Sequence, residues 1–172
     1  MAGSGKSELS SFLRAHGLGY VHFGDLTMDE LGRRGLSVNE ANERLVREDL
    51  RAAHGMAAYA LLNLPRIESA LSHGHVVVDG LYSWEEYLSL KERYGPRLLV
   101  VAVSAAPATR ARRLAGRPMR PLTEAELAGR DRAEIERLNK GGPIAMADIM
   151  LVNEGTIDDL RRQAGRVLEV LA

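Results

Sequence analysis

Along the chain, stretches with apolar residues three and four apart alternate with short β-branched runs, the periods of one-faced helices and of strands. Residues 6–16 predict a helix stopped by Gly17 and Gly19, and residues 20–23 a short strand closed by Gly24-Asp25. Residues 26–72 read as helical, broken at Gly35 and Gly55, with Pro65 a further candidate break. Within them Ser37-Val38-Asn39-Glu40 has the form of a capping box. His75-Val76-Val77-Val78-Asp79 is too short and too β-branched for a helix, and predicts a strand buried on both faces.

Ser83-Trp84-Glu85-Glu86 is a second capping box, opening a helix that ends near Gly95-Pro96. Residues 97–104 form the strongest strand pattern, and Pro107 suits the first turn of a helix reaching about Arg117. Thr123 and Glu126 frame the start of another helix, running to Asn139 and followed by Gly141-Gly142-Pro143. Residues 149–152 predict a last strand and residues 156–171 a last amphipathic helix. This alternation predicts an α/β fold with a mostly parallel sheet. No internal repeat or linker interrupts it, so residues 1–172 are expected to form a single domain.

Composition narrows the function classes. Lys plus Arg equals Asp plus Glu at 23 each, so no global field favours nucleic acid or a membrane surface, and charge must act through local clusters. The absence of cysteine excludes a disulfide framework, Cys-ligated metal and thiol catalysis. Apolar runs such as residues 98–103 are far too short to span a bilayer, and no secretory signal pattern opens the sequence. A cytoplasmic protein is the resulting expectation.

The candidate chemistry begins at Gly3-Ser4-Gly5-Lys6-Ser7. These residues match the second half of the Gly-x-x-x-x-Gly-Lys-Ser/Thr phosphate loop, in which backbone amides and a helix N-terminus converge on phosphate oxygens. Lys6 is the expected bridge to the β- and γ-phosphates of ATP, and the Ser7 hydroxyl an expected ligand of Mg²⁺. The first glycine of the pattern, and the strand that feeds it, would fall before Met1. The plainer alternative is a Gly/Ser-rich tail with a chance lysine.

Asp79, ending its β-branched run, has the placement of a carboxylate that orients the water shell of Mg²⁺; the alternative is an Asp-Gly turn. Asp25 ends the preceding strand, and in open parallel sheets ligands bind at carboxyl ends of strands. It either serves an acceptor hydroxyl or caps the helix that follows. Arg110, Arg112, Arg113, Arg117 and Arg120 cluster in one short stretch broken by Pro118 and Pro121. Arg110 and Arg112 read as a solvated basic face, whereas Arg117, Arg120 and Arg130 are candidates for a lid that neutralises the transferring phosphoryl group. His73-Gly74-His75 reads as a turn, not a metal site, and Asn139-Lys140 as a helix end.

With these residues placed, the chain resembles the adenylate-kinase-like, dephospho-CoA-kinase-like P-loop nucleotide kinases, particularly a group common in archaea. The resemblance rests on residues 3–7, Gly24-Asp25, Arg34-Gly35, His54-Gly55, Leu64-Pro65, Asp79-Gly80, Ser83, Arg130-Asp131 with Glu134, Ala147-Asp148 and Val152-Asn153-Glu154-Gly155. It implies a three-layer P-loop kinase fold, a helical acceptor region over residues 26–70, a lid over 117–130, and an Asn153 to Gly155 loop against the adenine base. The implied activity is ATP- and Mg²⁺-dependent phosphoryl transfer to a small molecule, a nucleotide or coenzyme precursor. Two positions depart from the pattern. Met28 and the Leu81-Tyr82 pair stand where relatives carry arginines that grip an acceptor phosphate. Arg33, Arg34, Arg47 and Arg51 are the candidate substitutes. A nucleotide-binding regulator or slow ATPase is the rival expectation, and a non-catalytic interaction protein a third.

Overall fold

The computed structural model describes residues 1–118 and 121–172. They divide into two compact units, one made of residues 1–18 and 99–172, the other of residues 19–98. Each has its own parallel strand pair and its own helices.

In the first unit, α1 (Lys6–Ala15) follows the glycine-rich loop directly. Strand β3 (Val101–Ser104) pairs in parallel with β4 (Ile149–Val152), Val101 opposite Ile149 and Ser104 opposite Val152. Between them the chain forms α6 (Pro107–Ala115), α7 (Glu124–Glu136) and the short α8 (Gly141–Ala145). Pro107 occupies the first turn of α6, where its missing N–H costs nothing. Thr123 and Glu126 close a full capping box on α7. The C-terminal helix α9 (Ile157–Leu171) opens with another box, Thr156 with Asp159. Leu160, Ala164 and Val167, spaced as one helical stripe, are its buried residues.

In the second unit, β1 (Gly19–His22) pairs in parallel with β2 (Val76–Asp79), Gly19 opposite Val76 and His22 opposite Asp79. The crossover between them is helical: α2 (Asp25–Arg34), α3 (Glu40–His54) and α4 (Ala58–Leu71). Helix α5 (Trp84–Tyr94) follows β2, capped by Ser83 and Glu86 as its sequence predicts. Phe23, Leu31, Val46, Tyr59 and Ile67 are almost wholly buried in this unit's core.

Four local expectations change. Pro65 lies inside α4 without ending it; the ring removes one N–H donor, and the surrounding turns carry the helix through. The Ser37 box does not form. Asn39 caps α3 instead, its Oδ1 accepting the Asn42 N–H at 2.9 Å, while Ser37 accepts side-chain amides from Asn39 and Asn42. The β3 strand begins only at Val101, because residues 95–97 tighten into a 3₁₀ turn after α5. Val76, Val77 and Val78 are half-buried, since β2 has a ladder partner along one edge only among the described residues. No helix among the described residues is long and apolar enough to cross a membrane.

Candidate phosphate-binding site

The loop ahead of α1 takes a shape that only glycine accepts cheaply. Gly3 and Gly5 have φ of 77° and 106°, in the left-handed region. Their surroundings enforce the choice a second time. A Cβ on Gly3 would stand 3.0 Å from Leu114 Cγ and 3.2 Å from Arg110 Cβ, and one on Gly5 would land on Asn153 Nδ2. The first helical bond runs from the Glu8 N–H to the Gly5 carbonyl at 3.0 Å, so the amides of Lys6 and Ser7 lie ahead of the ladder. A tight turn of amides at a helix N-terminus is a ready anion site.

Distant residues hold this loop from below. Asn153, buried at the end of β4, donates from Nδ2 to the Ser4 carbonyl at 2.7 Å and accepts from Arg113 Nη2 at 3.4 Å. The Asn153 side chain is thereby tied to the glycine loop. Gly155 leaves room for Asp159, whose Oδ2 would lie 2.5 Å from a Cβ there. Arg110 is the second anchor. It is 4 % exposed, and its guanidinium donates to the carbonyls of Ala105 at 3.1 Å and Ala2 at 3.2 Å. It also makes a bidentate pair with Asp131 at 2.9 and 2.6 Å. The expectation of a solvated face holds for exposed Arg112 and fails for Arg110, because its charge partner sits on α7, twenty-one positions along the chain.

Lys6 is exposed by area, yet protein atoms crowd its ammonium. Partial dehydration, helped by the like charge of Lys140 and opposed by Glu134, lowers its pKa to about 8. Lys140 is therefore a neighbour of the phosphate loop, a role that its reading as a helix end missed. Its Nζ donates to Glu134 at 2.7 Å. Among the lid candidates, Arg117 is exposed and Arg130 is exposed with Nε 3.2 Å from Glu134. Arg120 lies outside the described residues.

Asp25 and Asp79 belong to the second unit, both at the carboxyl end of its strand pair. Asp79 is 5 % exposed and accepts the Tyr20 hydroxyl at 3.3 Å. Asp25 is the first residue of α2 rather than its cap, which is Gly24, and its Oδ1 lies 2.7 Å from His22 Nδ1. With Tyr20, His22, Met28, Pro65 and Arg66 it lines an open hollow of about 760 Å³. Of the candidate substitute arginines, Arg33 and Arg34 share Glu30, and Arg47 holds Glu40 and Glu43. Arg51 stacks over the Tyr59 ring at 5.2 Å, and its buried Nε has no hydrogen-bond partner among the described residues. Tyr59 in turn meets Tyr82 edge-on, ring centroids 6.0 Å apart.

The donors present suit the implied metal: a serine hydroxyl and a carboxylate are the hard oxygen ligands that Mg²⁺ takes. No cluster of three or more His, Cys, Asp or Glu side chains with metal-holding geometry occurs among the described residues.

Comparison with known proteins bears on the family and the fold. A family model described as an AAA domain matches residues 1–138. A UPF0200 protein of Hyperthermus butylicus is 38 % identical over 173 aligned positions, covering 99 % of this chain and 91 % of the relative. A UPF0200 protein of Thermococcus sibiricus is 31 % identical, covering 99 % and 92 %. The crystal structure of TT1252 from Thermus thermophilus matches with a TM-score of 0.67 at 24 % identity, covering 99 % of this chain and 94 % of that one. A shikimate kinase from Bacteroides thetaiotaomicron matches at 0.57 and 18 %, covering 98 % and 93 %. The fold is thus an α/β P-loop kinase-like one, built on parallel strands. By its glycine loop, its helix-borne lysine and these relatives, the chain belongs to the UPF0200 family and carries a P-loop nucleotide-binding domain of the AAA type.

Proposed function

We propose that this protein is an ATP- and Mg²⁺-dependent phosphotransferase acting on a small molecule, a nucleotide or coenzyme precursor. The observation that carries the reading is the loop itself: two left-handed glycines, bedded on Leu114, Arg110 and Asn153, deliver Lys6 and Ser7 at the start of α1. The loop amides and Lys6 would take the phosphates of the donor. Ser7 and Asp79 would hold Mg²⁺, which supplies charge neutralisation to the transferring group. Arg117, Arg120 and Arg130 would offset the negative charge that spreads over its equatorial oxygens. Asp25 would orient the acceptor hydroxyl, and the hollow beside it suits the acceptor. Arg51, on its aromatic bed with an unengaged Nε, is the best replacement for the grip that Met28 and Tyr82 do not supply.

The test is transfer of labelled phosphate from ATP across a panel of nucleosides, nucleotides and coenzyme precursors. Lys6→Ala is expected to abolish turnover while leaving the circular dichroism spectrum unchanged. Undiminished transfer in that variant removes the assignment. A second reading, a nucleotide-binding regulator or slow ATPase, draws on exposed Met28 and on Tyr82, whose hydroxyl packs over Gly80. ATP binding without product from any acceptor in the panel favours it.

A further inference from the structure

The side of α7 that faces the phosphate loop carries more charge than the loop's own motif accounts for. Asp131 and Glu134 are three residues apart on α7, hence on one face. Asp131 is tied through Arg110 to the Ala2 carbonyl, which seats that face beside the start of the loop. One turn further on, Glu134 is 9 % exposed and gathers two cations: Lys140 at 2.7 Å and Arg130 at 3.2 Å.

The backbone is bent to bring Lys140 there. After α7 the chain turns through Asn139, whose φ of 51° is the one positive value at a non-glycine among the described residues. That turn lets the Lys140 N–H donate to the Glu134 carbonyl at 3.1 Å. It also folds the lysine back until its side chain is only 12 % exposed. Lysines are seldom so buried, because immobilising four methylenes and drying an ammonium both oppose folding. A simple helix staple would need one lysine on one carboxylate. Here Lys140 and Arg130 both reach a single glutamate, on the face of α7 that Arg110 and Asp131 tie to the start of an anion-binding loop.

We propose that Lys140 is a second phosphate-binding residue of this site, held in place by Glu134, and that the ligand it takes is the polyphosphate of a nucleoside triphosphate. The proposal rests on the nucleotide-binding reading above and adds a residue outside the loop motif. In the nucleotide-free protein Glu134 stands as the counter-anion; a bound polyphosphate takes over that role, sharing Lys140 with it.

The test is isothermal titration of the full chain with Mg-ATP and, separately, with adenosine, which has no phosphate. Loss of one charge-assisted contact predicts that Lys140→Met weakens Mg-ATP by about tenfold and leaves adenosine unchanged. Lys140→Arg is expected to stay within about threefold of the parent, since it keeps the charge. Glu134→Gln, which keeps an acceptor for Lys140 and removes the competing charge, is expected to bind Mg-ATP at least as tightly. A Lys140→Met protein that binds Mg-ATP within twofold of the parent, or loses adenosine equally, overturns the proposal. If Lys140→Met does not fold, the charge-keeping and charge-removing pair Lys140→Arg and Lys140→Gln decides by the same comparison. Loss of binding in Lys6→Ala but not in the Lys140 variants sinks only the second lysine, whereas a parent that binds no Mg-ATP sinks both readings.

Discussion

The Arg110–Asp131 pair makes a quantitative prediction. Replacing Arg110 with Met keeps most of the volume and the apolar stem but strips the guanidinium from a position that is 4 % exposed. Three consequences add. Asp131, with a side chain 17 % exposed, is left charged without its bidentate partner. The Ala105 and Ala2 carbonyls each lose a donor, at 3.1 and 3.2 Å. Breaking a buried pair by removing one member costs about 3–5 kcal/mol, and water reaching the partly exposed Asp131 puts this site at the lower end, about 3 kcal/mol. For a chain of this size that corresponds to a fall in melting temperature of roughly 6–12 °C. Asp131→Asn, which keeps an acceptor but loses the charge, should cost about 1–2 kcal/mol. Denaturant titration of both single variants and the double variant gives the coupling energy directly. A coupling below about 0.5 kcal/mol, or an Arg110→Met protein as stable as the parent, refutes the reasoning. Because Arg110 also holds the loop's leading end, the folded variant should bind Mg-ATP more weakly as well.

Further outcomes follow from the same site. Burial and then Lys140 bring the Lys6 pKa down to about 8, so its ammonium is charged at pH 7 and discharges as pH rises through that value. Mg-ATP affinity should therefore fall above about pH 8, by up to about tenfold per pH unit. The free protein should behave in the opposite sense. Between about 8 and 10.5 the unfolded chain binds more protons at Lys6 than the folded one, so stability gains from this group as pH rises through that window. A dissociation constant flat from pH 7 to 9.5 contradicts the lysine's role. Gly5→Ala meets both a left-handed φ and the Asn153 amide, and should cost at least about 2 kcal/mol with loss of nucleotide binding. Adding Asn153→Ala relieves the clash but not the strain, so stability should return only in part; full recovery would contradict the strain argument.

What could be read from the letters and what could not divides by how far away the partner lies. The boxes at Ser83 and Thr123 were legible because donor and acceptor are three residues apart. Gly5 with Lys6 was legible because the chemistry of the loop is in its own backbone. The Ser37 box was misread for a reason equally local: Asn39 offers a competing carbonyl oxygen two residues on, and wins the cap. Pro65 and the late start of β3 depend on what packs around them, which periodicity does not report. Arg110 looked like surface because the sequence gives no sign that Asp131 will meet it, and Lys140 looked like a helix end because its carboxylate is reached only after the chain reverses at Asn139.

The bed beneath Gly3 and Gly5 bears on how such loops can be borrowed. Five residues carry the recognisable signature, yet their curvature is moulded by Leu114 and Arg110 from one helix and by Asn153 from the end of a strand, all more than a hundred positions downstream. Grafting the signature onto a foreign scaffold would transplant the letters and leave the mould behind. A designer wishing to move this anion grip should carry α6 and the close of β4 with it, and treat the three segments as one part.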